Sequence, residues 1–562
     1  MCPLTLPRTR PEESWTPRRP HGSVTSAPRP RARTYAESVP ESAPSRRIPR
    51  PLAALAGVAS VVLGAGIGEA VAALVAPASS PFAAIGGGII DAAPAWAKDA
   101  AIALFGTGDK VALLAGIAVV LLAVAAVAGL LEVARPPWGR VIFAAVGVAG
   151  AIVAATRPDA GLLAWIPSVI AAAVSAGALW FLTGRLRPAE TPGASDEDTS
   201  PGPSPAPDRR TFLAYSGGAV TIGILAAFVG AIRTSGTVAV DAIRSALRLP
   251  TPAVTAPPIP AGAELDLPGL ARVITPNDAF YRIDTALVVP EIDPADWSLR
   301  IHGMVAREIT LTWDELLALP LRESVTTLAC VSNPVGGDLI GNARWLGYPI
   351  RELLARAEPS ADADMVLSWS IDGFSASTPI EALTDERESI LAVGMNGEPL
   401  PVEHGFPVRM VVPGLYGYVS ATKWVTELEV TRFDRKQAYW STRGWSERGP
   451  IKLQSRIDVP RREQGLRAGD TVIAGMAWQQ HVGIAGVQVQ IDDGPWQDAA
   501  LAAAISDDTW VQWSFPWTAD PGDHLIRCRA VSVTGDVQTA DRAAVAPDGA
   551  TGYHERFVQV FT

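Results

Sequence analysis

The chain is short of the residues that usually hold redox metals. Its 562 residues include three cysteines, Cys2, Cys330 and Cys528, with no CxxC, CxxCH or paired spacing among them. That excludes a disulfide framework, a cysteine-only zinc site, c-type haem attachment and a cysteine-ligated iron–sulfur cluster. Of the six histidines (His21, His302, His404, His481, His524 and His554), none falls in a long apolar run, which excludes a bis-histidine b-type haem inside a membrane. The formal net charge is -10 and the basic residues form no groove-like patch, so no nucleic-acid partner is expected. A redox metal in this chain must be held mainly by an organic ligand of its own.

Apolar residues are in excess, and the excess lies before Arg233; the mean hydropathy of the whole chain is +0.20. Residues 1–50, rich in Pro, Arg and Ser, cannot bury a core and are expected to be a disordered basic tail. The runs 52–76, 111–131, 141–156, 162–183 and 212–232 approach or exceed the length needed to cross about 30 Å of hydrocarbon. An N-terminal α-helical membrane region of about five spans follows, four within 51–183 and a fifth after a disordered linker, 184–211. Arg46, Arg47 and Arg50 precede the first span, Arg135 and Arg140 lie between the second and third, and Arg185, Arg187, Arg209 and Arg210 lie between the fourth and fifth. The positive-inside bias puts these segments in the cytoplasm. Five crossings of a cell membrane then leave the C-terminal half outside. Arg209-Arg210 followed by Thr-Phe-Leu and an apolar run reads as a twin-arginine export signal, with an ordinary basic flank as the alternative. Glu69, an acid well inside a span, reads as an interfacial carboxylate.

Beyond the last span, 233–270 reads as a tether, helical through about residue 249 and Pro-rich after it. Residues 271–448 read as a mixed α/β body, with an amphipathic helix presenting Ile350, Leu353, Leu354 and Ala357 on one face. From 449 to 562 the pattern changes to short strands between turns, which suggests a C-terminal immunoglobulin-like β-sandwich.

The segment 324–347, SVTTLACVSNPVGGDLIGNARWLG, reads as a strand that delivers one thiol, Cys330, to the mouth of a Gly-rich loop. Spacing alone leaves open a buried structural cysteine. This segment, together with AVGMNGEPLPVEHGFPVRMVVPGLYG (392–417), the ATKW that ends at Trp424, and ITPNDAFYRIDT from Ile274, resembles the sulfite-oxidase family of molybdopterin enzymes. Taking 392–417 and the ATKW as one segment, these are three motifs, and they stand in the family's order. The resemblance covers the chain after Ile274 and none of the membrane region.

It implies a sulfite-oxidase-like molybdopterin domain in which Cys330 is the thiolate ligand of molybdenum, the remaining chelation coming from the pterin dithiolene. Phe280, Tyr281, Arg282, Ile283 and Asp284 match the family's first cofactor segment, Arg282 at a position commonly near the metal-bound oxo group. His404 and Arg409 match residues that hold the pterin and its phosphate, and Ala421, Thr422 and Lys423 match the last segment. Three departures weaken sulfite as the substrate. Arg282-Ile283-Asp284 stands where the family usually has Arg-Asn-His. Pro334 and Val335 stand where sulfite oxidases carry a basic residue. Trp445 falls where an active-site tyrosine is expected.

The implied protein is a membrane-anchored molybdenum oxidoreductase, transferring an oxygen atom to or from a small molecule or a sulfoxide. With no haem or iron–sulfur cluster of its own expected, it would need a separate electron donor or acceptor, and the family's C-terminal domain commonly mediates homodimerisation. The alternative from another class is a non-catalytic membrane scaffold or transporter-like protein that keeps this fold.

Overall fold

The computed structural model describes residues 48–75, 79–92, 109–157, 160–186, 209–234, 237–286, 288–461 and 465–562. Most of the basic tail, with Cys2, His21, Arg46 and Arg47, lies outside them, as do Arg187 and linker residues 187–208.

Among the described residues, six helices lie in the N-terminal region: α1 (Arg50–Val75), α2 (Pro81–Ala92), α3 (Asp109–Ala134), α4 (Trp138–Ala155), α5 (Ile166–Leu186) and α6 (Arg209–Thr234). Five of them, all but α2, are long and apolar enough to cross a membrane. With little hydrophobic drive between helices in lipid, association relies on small residues that let backbones approach. A Cβ on Gly57 would lie 1.9 Å from the carbonyl oxygen of Ala125 in α3, and one on Gly66 1.9 Å from that of Gly223 in α6. Helix α1 is therefore the centre against which its neighbours pack.

Three boundaries differ from the apolar runs. Helix α5 starts at Ile166 instead of 162, with Pro167 in its first turn where a missing N–H costs nothing. Helix α6 starts at Arg209, so the paired arginines belong to its first turn and not to the linker. Helix α3 runs on to Ala134 and takes in Glu132, which is buried and accepts hydrogen bonds from the Arg140 Nε (2.9 Å) and N–H (3.2 Å). The short helix α2 was not legible in the apolar pattern. Its N-terminus is held by Glu69, whose Oε1 accepts from the Ser80 hydroxyl (2.9 Å) and the Phe82 N–H (3.2 Å). A carboxylate there satisfies a donor that the helix leaves open.

Beyond α6, α7 (Thr237–Ala246) ends before residue 249. The Pro-rich stretch after it is not a loose tether. The Ala253 N–H donates to the Leu321 carbonyl (2.7 Å) and Val254 accepts from the Glu323 N–H (2.9 Å), a short parallel pairing.

The central body contains β1 (Ser298–Gly303), β2 (Ile309–Thr312), β3 (Arg322–Ala329), β4 (Ile340–Pro349), β5 (Met365–Ser370), β6 (Ser375–Pro379), β7 (Ile390–Met395), β8 (Glu398–Pro399), β9 (Arg409–Val411) and β10 (Val425–Thr431). One sheet has the order β2-β1-β10-β5-β6; the other runs β3-β4-β7-β8, with β9 on β7. Helix α8 (Trp313–Leu317) begins with a capping box between Thr312 and Glu315, and α9 (Ile350–Ala357) buries Ile350, Leu353, Leu354 and Ala357, the face its periodicity predicts.

The C-terminal body is built from β11 (Gln454–Val459), β12 (Leu466–Arg467), β13 (Gly469–Trp478), β14 (Ile484–Ile491), β15 (Gln497–Asp498), β16 (Ala500–Leu501), β17 (Val511–Ala519), β18 (Gly522–Ser532) and β19 (His554–Phe561). Two sheets, β11-β13-β17-β16 and β12-β19-β18-β14-β15, share one core around Ile457, Ile473, Trp513, Ile526 and Val558.

The glycine contacts give a paired expectation. Gly66→Leu should lower the thermal midpoint of the purified protein by about 5 °C or more, whereas Gly177→Leu, where an added Cβ meets nothing within 4 Å, should leave it within about 1 °C. Equal shifts in a detergent melting experiment would show that close helix contact is not what holds the bundle.

Candidate active site

Strand β3 is buried from Ser324 to Ala329, and Cys330 follows directly at the sheet's end. The loop after it is closed by its own backbone: the Cys330 N–H donates to the Leu339 carbonyl (2.9 Å), the Asn333 N–H to the Cys330 carbonyl (3.1 Å) and the Leu339 N–H to Asn333 Oδ1 (2.9 Å). The Cys330 Sγ accepts the Ser332 N–H at 3.4 Å. Burial pushes this thiol above its ordinary pKa, while the Ser332 hydrogen bonds and the Lys423 charge pull the other way. A soft metal can displace such a proton, because metal ligands must be deprotonated.

Beside it stands a wall of rings. Phe280 stacks on Tyr281 (centroids 5.2 Å) and meets the edges of Trp345 (5.7 Å) and His404 (5.5 Å). Tyr281 is half-buried, and burial first, then a thiolate at Cys330, raises the pKa of its hydroxyl. The ring wall and the thiol therefore belong to one site.

Two cations and an imidazole converge on the same place. Arg409 is buried, its guanidinium 5.1 Å from the Trp345 centroid, and donates to the carbonyls of His404 (3.1 Å) and Met410 (3.3 Å). It has no ion pair among the described residues, and burial brings it down to about 10. Lys423 Nζ donates to Asp284 Oδ2 (2.8 Å) and the Glu403 carbonyl (2.9 Å), and burial lowers it to about 8. His404 is lowered to about 4 by burial and then by the Arg409 and Lys423 charges. Its neutral ring carries the proton on Nε2, where it faces the Asn277 carbonyl at 3.2 Å.

A buried guanidinium without a carboxylate is costly unless an anion reaches it. A phosphate beside Arg409, a planar ring system against Phe280 and Tyr281, and one soft metal at Cys330 suit these residues, so the donor set fits a molybdenum–pterin cofactor.

Other expected site residues fall as follows. Arg282 is 42% exposed and its Nε donates to Asp284 Oδ2 at 2.9 Å. Asp284 is therefore the shared counter-ion of Arg282 and Lys423. Ile283 is exposed. The Thr422 Oγ1 is 2.7 Å from the Ser368 Oγ, and Ala421 packs beside the Phe280–Trp345 cluster. Trp445 is buried, with Tyr418 and Trp440 as ring neighbours, each at 5.9 Å. Sequence reasoning missed Trp345, Asn277 and Tyr416, whose parts depend on contacts that no local pattern carries. Tyr416, held near pKa 12 chiefly by burial, also lies within electrostatic reach of Cys330.

One thiol, buried cations without enough acids and an aromatic wall define a class of protein: an enzyme whose metal arrives inside a phosphate-bearing organic cofactor. Residues 286–440 match the oxidoreductase molybdopterin binding domain. Sulfite oxidase of Gallus gallus is 28% identical over 316 residues, covering 48% of this chain and 68% of that one. An uncharacterized oxidoreductase, YuiH, of Bacillus subtilis (strain 168) is 31% identical over 157 residues, covering 28% of this chain and 76% of the other. The sulfane dehydrogenase SoxCD from Paracoccus pantotrophus aligns with a TM-score of 0.45 at 25% identity, covering 51% of this chain and 84% of that one. The chain spans about half the length of several curated sulfite oxidases that it matches. It belongs to the sulfite-oxidase family of molybdopterin-dependent oxidoreductases, and it is a molybdenum oxidoreductase.

The buried imidazoles set a pH dependence for the cofactor-free protein. His404 and His554 are both lowered from 6.5 to about 4, so the unfolded chain takes up protons first as the pH falls. Stability should be lost progressively from about pH 6.5 towards 4, and His404→Gln should remove roughly half of that loss. Melting curves across this range check it; an unchanged slope in the variant would place the histidine in solvent.

Proposed function

We propose that this protein transfers an oxygen atom to or from a small, uncharged substrate such as a sulfoxide, on the outer face of a cell membrane, exchanging electrons with a separate carrier. The observation that carries the reading is that the buried thiol Cys330 and the buried Arg409, which has no ion pair among the described residues, both lie within electrostatic reach of Tyr281. When bound, the molybdenum–pterin cofactor supplies the oxygen-transfer chemistry and the two-electron change.

The chain's own residues do the rest. Cys330 gives the metal its soft protein ligand. Arg409, Lys423 and neutral His404 hold the pterin and its phosphate by charge-assisted and neutral hydrogen bonds, and Phe280, Tyr281 and Trp345 exclude water from the ring face. Ala421 and Thr422 line the last cofactor segment. Asp284 neutralises charge that would otherwise draw in an anion, and the Pro334–Val335 loop adds no cation to replace it. Arg282, exposed and paired with Asp284, is the group best placed to orient a substrate, and the Trp445 indole would offer one hydrogen-bond donor where the family's tyrosine is expected. Losing one charge-assisted contact costs a sulfite-like anion about 1.5–3 kcal/mol, on the order of tenfold to hundredfold in affinity.

For topology, Arg50, Arg135, Arg140, Arg185, Arg209 and Arg210 fall on one side of the five candidate spans, which favours a cytoplasmic N-terminus and an outer C-terminal half. We read Arg209-Arg210, in the first turn of α6, as an export signal for a body that has already taken up its cofactor. The two-sheet C-terminal body, read as immunoglobulin-like, would serve as a homodimer contact, and the chain would bring no haem of its own.

Metal analysis and turnover with sulfoxides, N-oxides and sulfite, using an artificial electron carrier, test the function. Cys330→Ser is expected to remove activity and most molybdenum while leaving the fold, and sulfite to be the poorest substrate of the panel. A serine variant with full metal and undiminished turnover would sink the assignment. Changing Arg209 and Arg210 to Lys keeps the charge and loses the specific pair. The C-terminal half of that variant should stay inside, protected from protease added to the outer face; normal export would reduce the pair to a topological flank.

A further inference from the structure

The strand and loop around Cys330 are gripped from outside their own sheet. Thr327, three residues before the thiol, has every polar group engaged: its N–H donates to the Asp508 carbonyl (3.0 Å), its carbonyl accepts from Gln480 Nε2 (3.1 Å), and its hydroxyl accepts the Trp510 N–H (2.9 Å) while donating to Asn342 Oδ1 (3.0 Å). Asp508, Gln480 and Trp510 all belong to the C-terminal body.

The same body holds the loop beyond the thiol. Arg456 Nη1 donates to the Gly337 carbonyl at 2.8 Å, and its guanidinium is fixed by Asp458 at 2.6 and 3.2 Å and lies 5.8 Å from the Trp510 ring centroid. Gly336, at φ +75°, packs its bare Cα against His554: a Cβ there would lie 2.2 Å from the ring's Cδ2 and 2.3 Å from Nε2. The ring cannot swing away, because its Nδ1 accepts the Ile457 N–H at 2.8 Å. Both side chains are buried, and His554, lowered to about 4 by burial and the Arg556 and Arg456 charges, stays neutral near pH 7. The clamp is therefore steric and hydrogen-bonded, and does not change with pH in the working range.

We infer that His554 and Arg456 of the C-terminal body are positioning residues for the metal ligand: with the grip on Thr327 they fix the Cys330 loop, and so the direction in which the thiol meets the metal. This rests on Cys330 being the metal ligand. It makes the C-terminal body part of the active site, acting at one remove through Gly336 and Gly337, in addition to any role in association between copies.

The test uses the full-length protein with His554→Asn, in which the shorter amide keeps an acceptor for the Ile457 N–H but withdraws the ring edge from Gly336. Alkylation by N-ethylmaleimide is followed at each cysteine by mass spectrometry, Cys528 in the C-terminal core reporting general loosening. Cys330 is expected to react about tenfold faster or more while Cys528 is unchanged, as local opening of one loop requires. Gly336→Ala, which pushes from the loop side, should do the same. No change at Cys330, or equal acceleration at both cysteines, overturns the inference. In molybdenum-loaded protein, His554→Asn should retain the metal and shift the paramagnetic resonance spectrum of the one-electron-reduced site; an unchanged spectrum also overturns it. A wild-type protein that takes up no molybdenum would defeat the functional reading, while the alkylation result would still decide the clamp.

Discussion

The outer edge of β3 is the constraint on which the rest depends. An edge strand presents backbone N–H and carbonyl groups that must find partners once they are buried. Here β4 pairs one side, and the other side is divided between two distant parts of the chain. Val254, from the stretch after α7, pairs with Arg322, and Asp508 and Gln480, from the C-terminal body, take Thr327. Cys330 stands where that doubly held strand ends. The stretch after α7, the central body and the C-terminal body therefore meet on the one strand that leads to Cys330.

Electrostatics gives the site its second organising principle. Arg409, Lys423 and His404 are all buried within a few residues of one another in space, which for a cofactor-free fold means two poorly solvated cations and an imidazole held neutral. Asp284 compensates Lys423 and Arg282 but nothing compensates Arg409 among the described residues. Such an arrangement is unfavourable alone and favourable once an anion arrives, so cofactor uptake and stability are linked. The same Asp284 limits how much positive potential is left over for a substrate.

The short helix α7 packs directly against the ring wall of the site. Val240 of α7 is buried in the same cluster as Phe280, Trp345 and Val402, and Arg244 donates to the Pro399 carbonyl at 3.0 Å. The ring wall of the site thus has one of its supports in α7.

Much of this was legible in one dimension. Long apolar runs announce candidate membrane helices because a span needs some twenty apolar residues in a row, and the five runs each coincide with a helix to within a few residues. A lone cysteine beside a Gly-rich loop left a structural thiol open, and it was the resemblance of the ordered motifs carrying Cys330, His404, Arg409 and Lys423 to the sulfite-oxidase family that implied one cofactor site. Alternation in the last hundred or so residues marked β13, β14, β17, β18 and β19, whereas the two-residue strands were too short to leave a period. What the tertiary structure alone decided are the contacts between residues far apart in sequence: Asp284 as counter-ion to Lys423, Trp345 under Arg409, Val254 along β3, and His554 against Gly336. Local periodicity records which face of an element is buried but not what covers it. Those partners are chosen by long-range packing and by the need to pair each buried polar group, and neither leaves a mark within the few residues that a pattern spans.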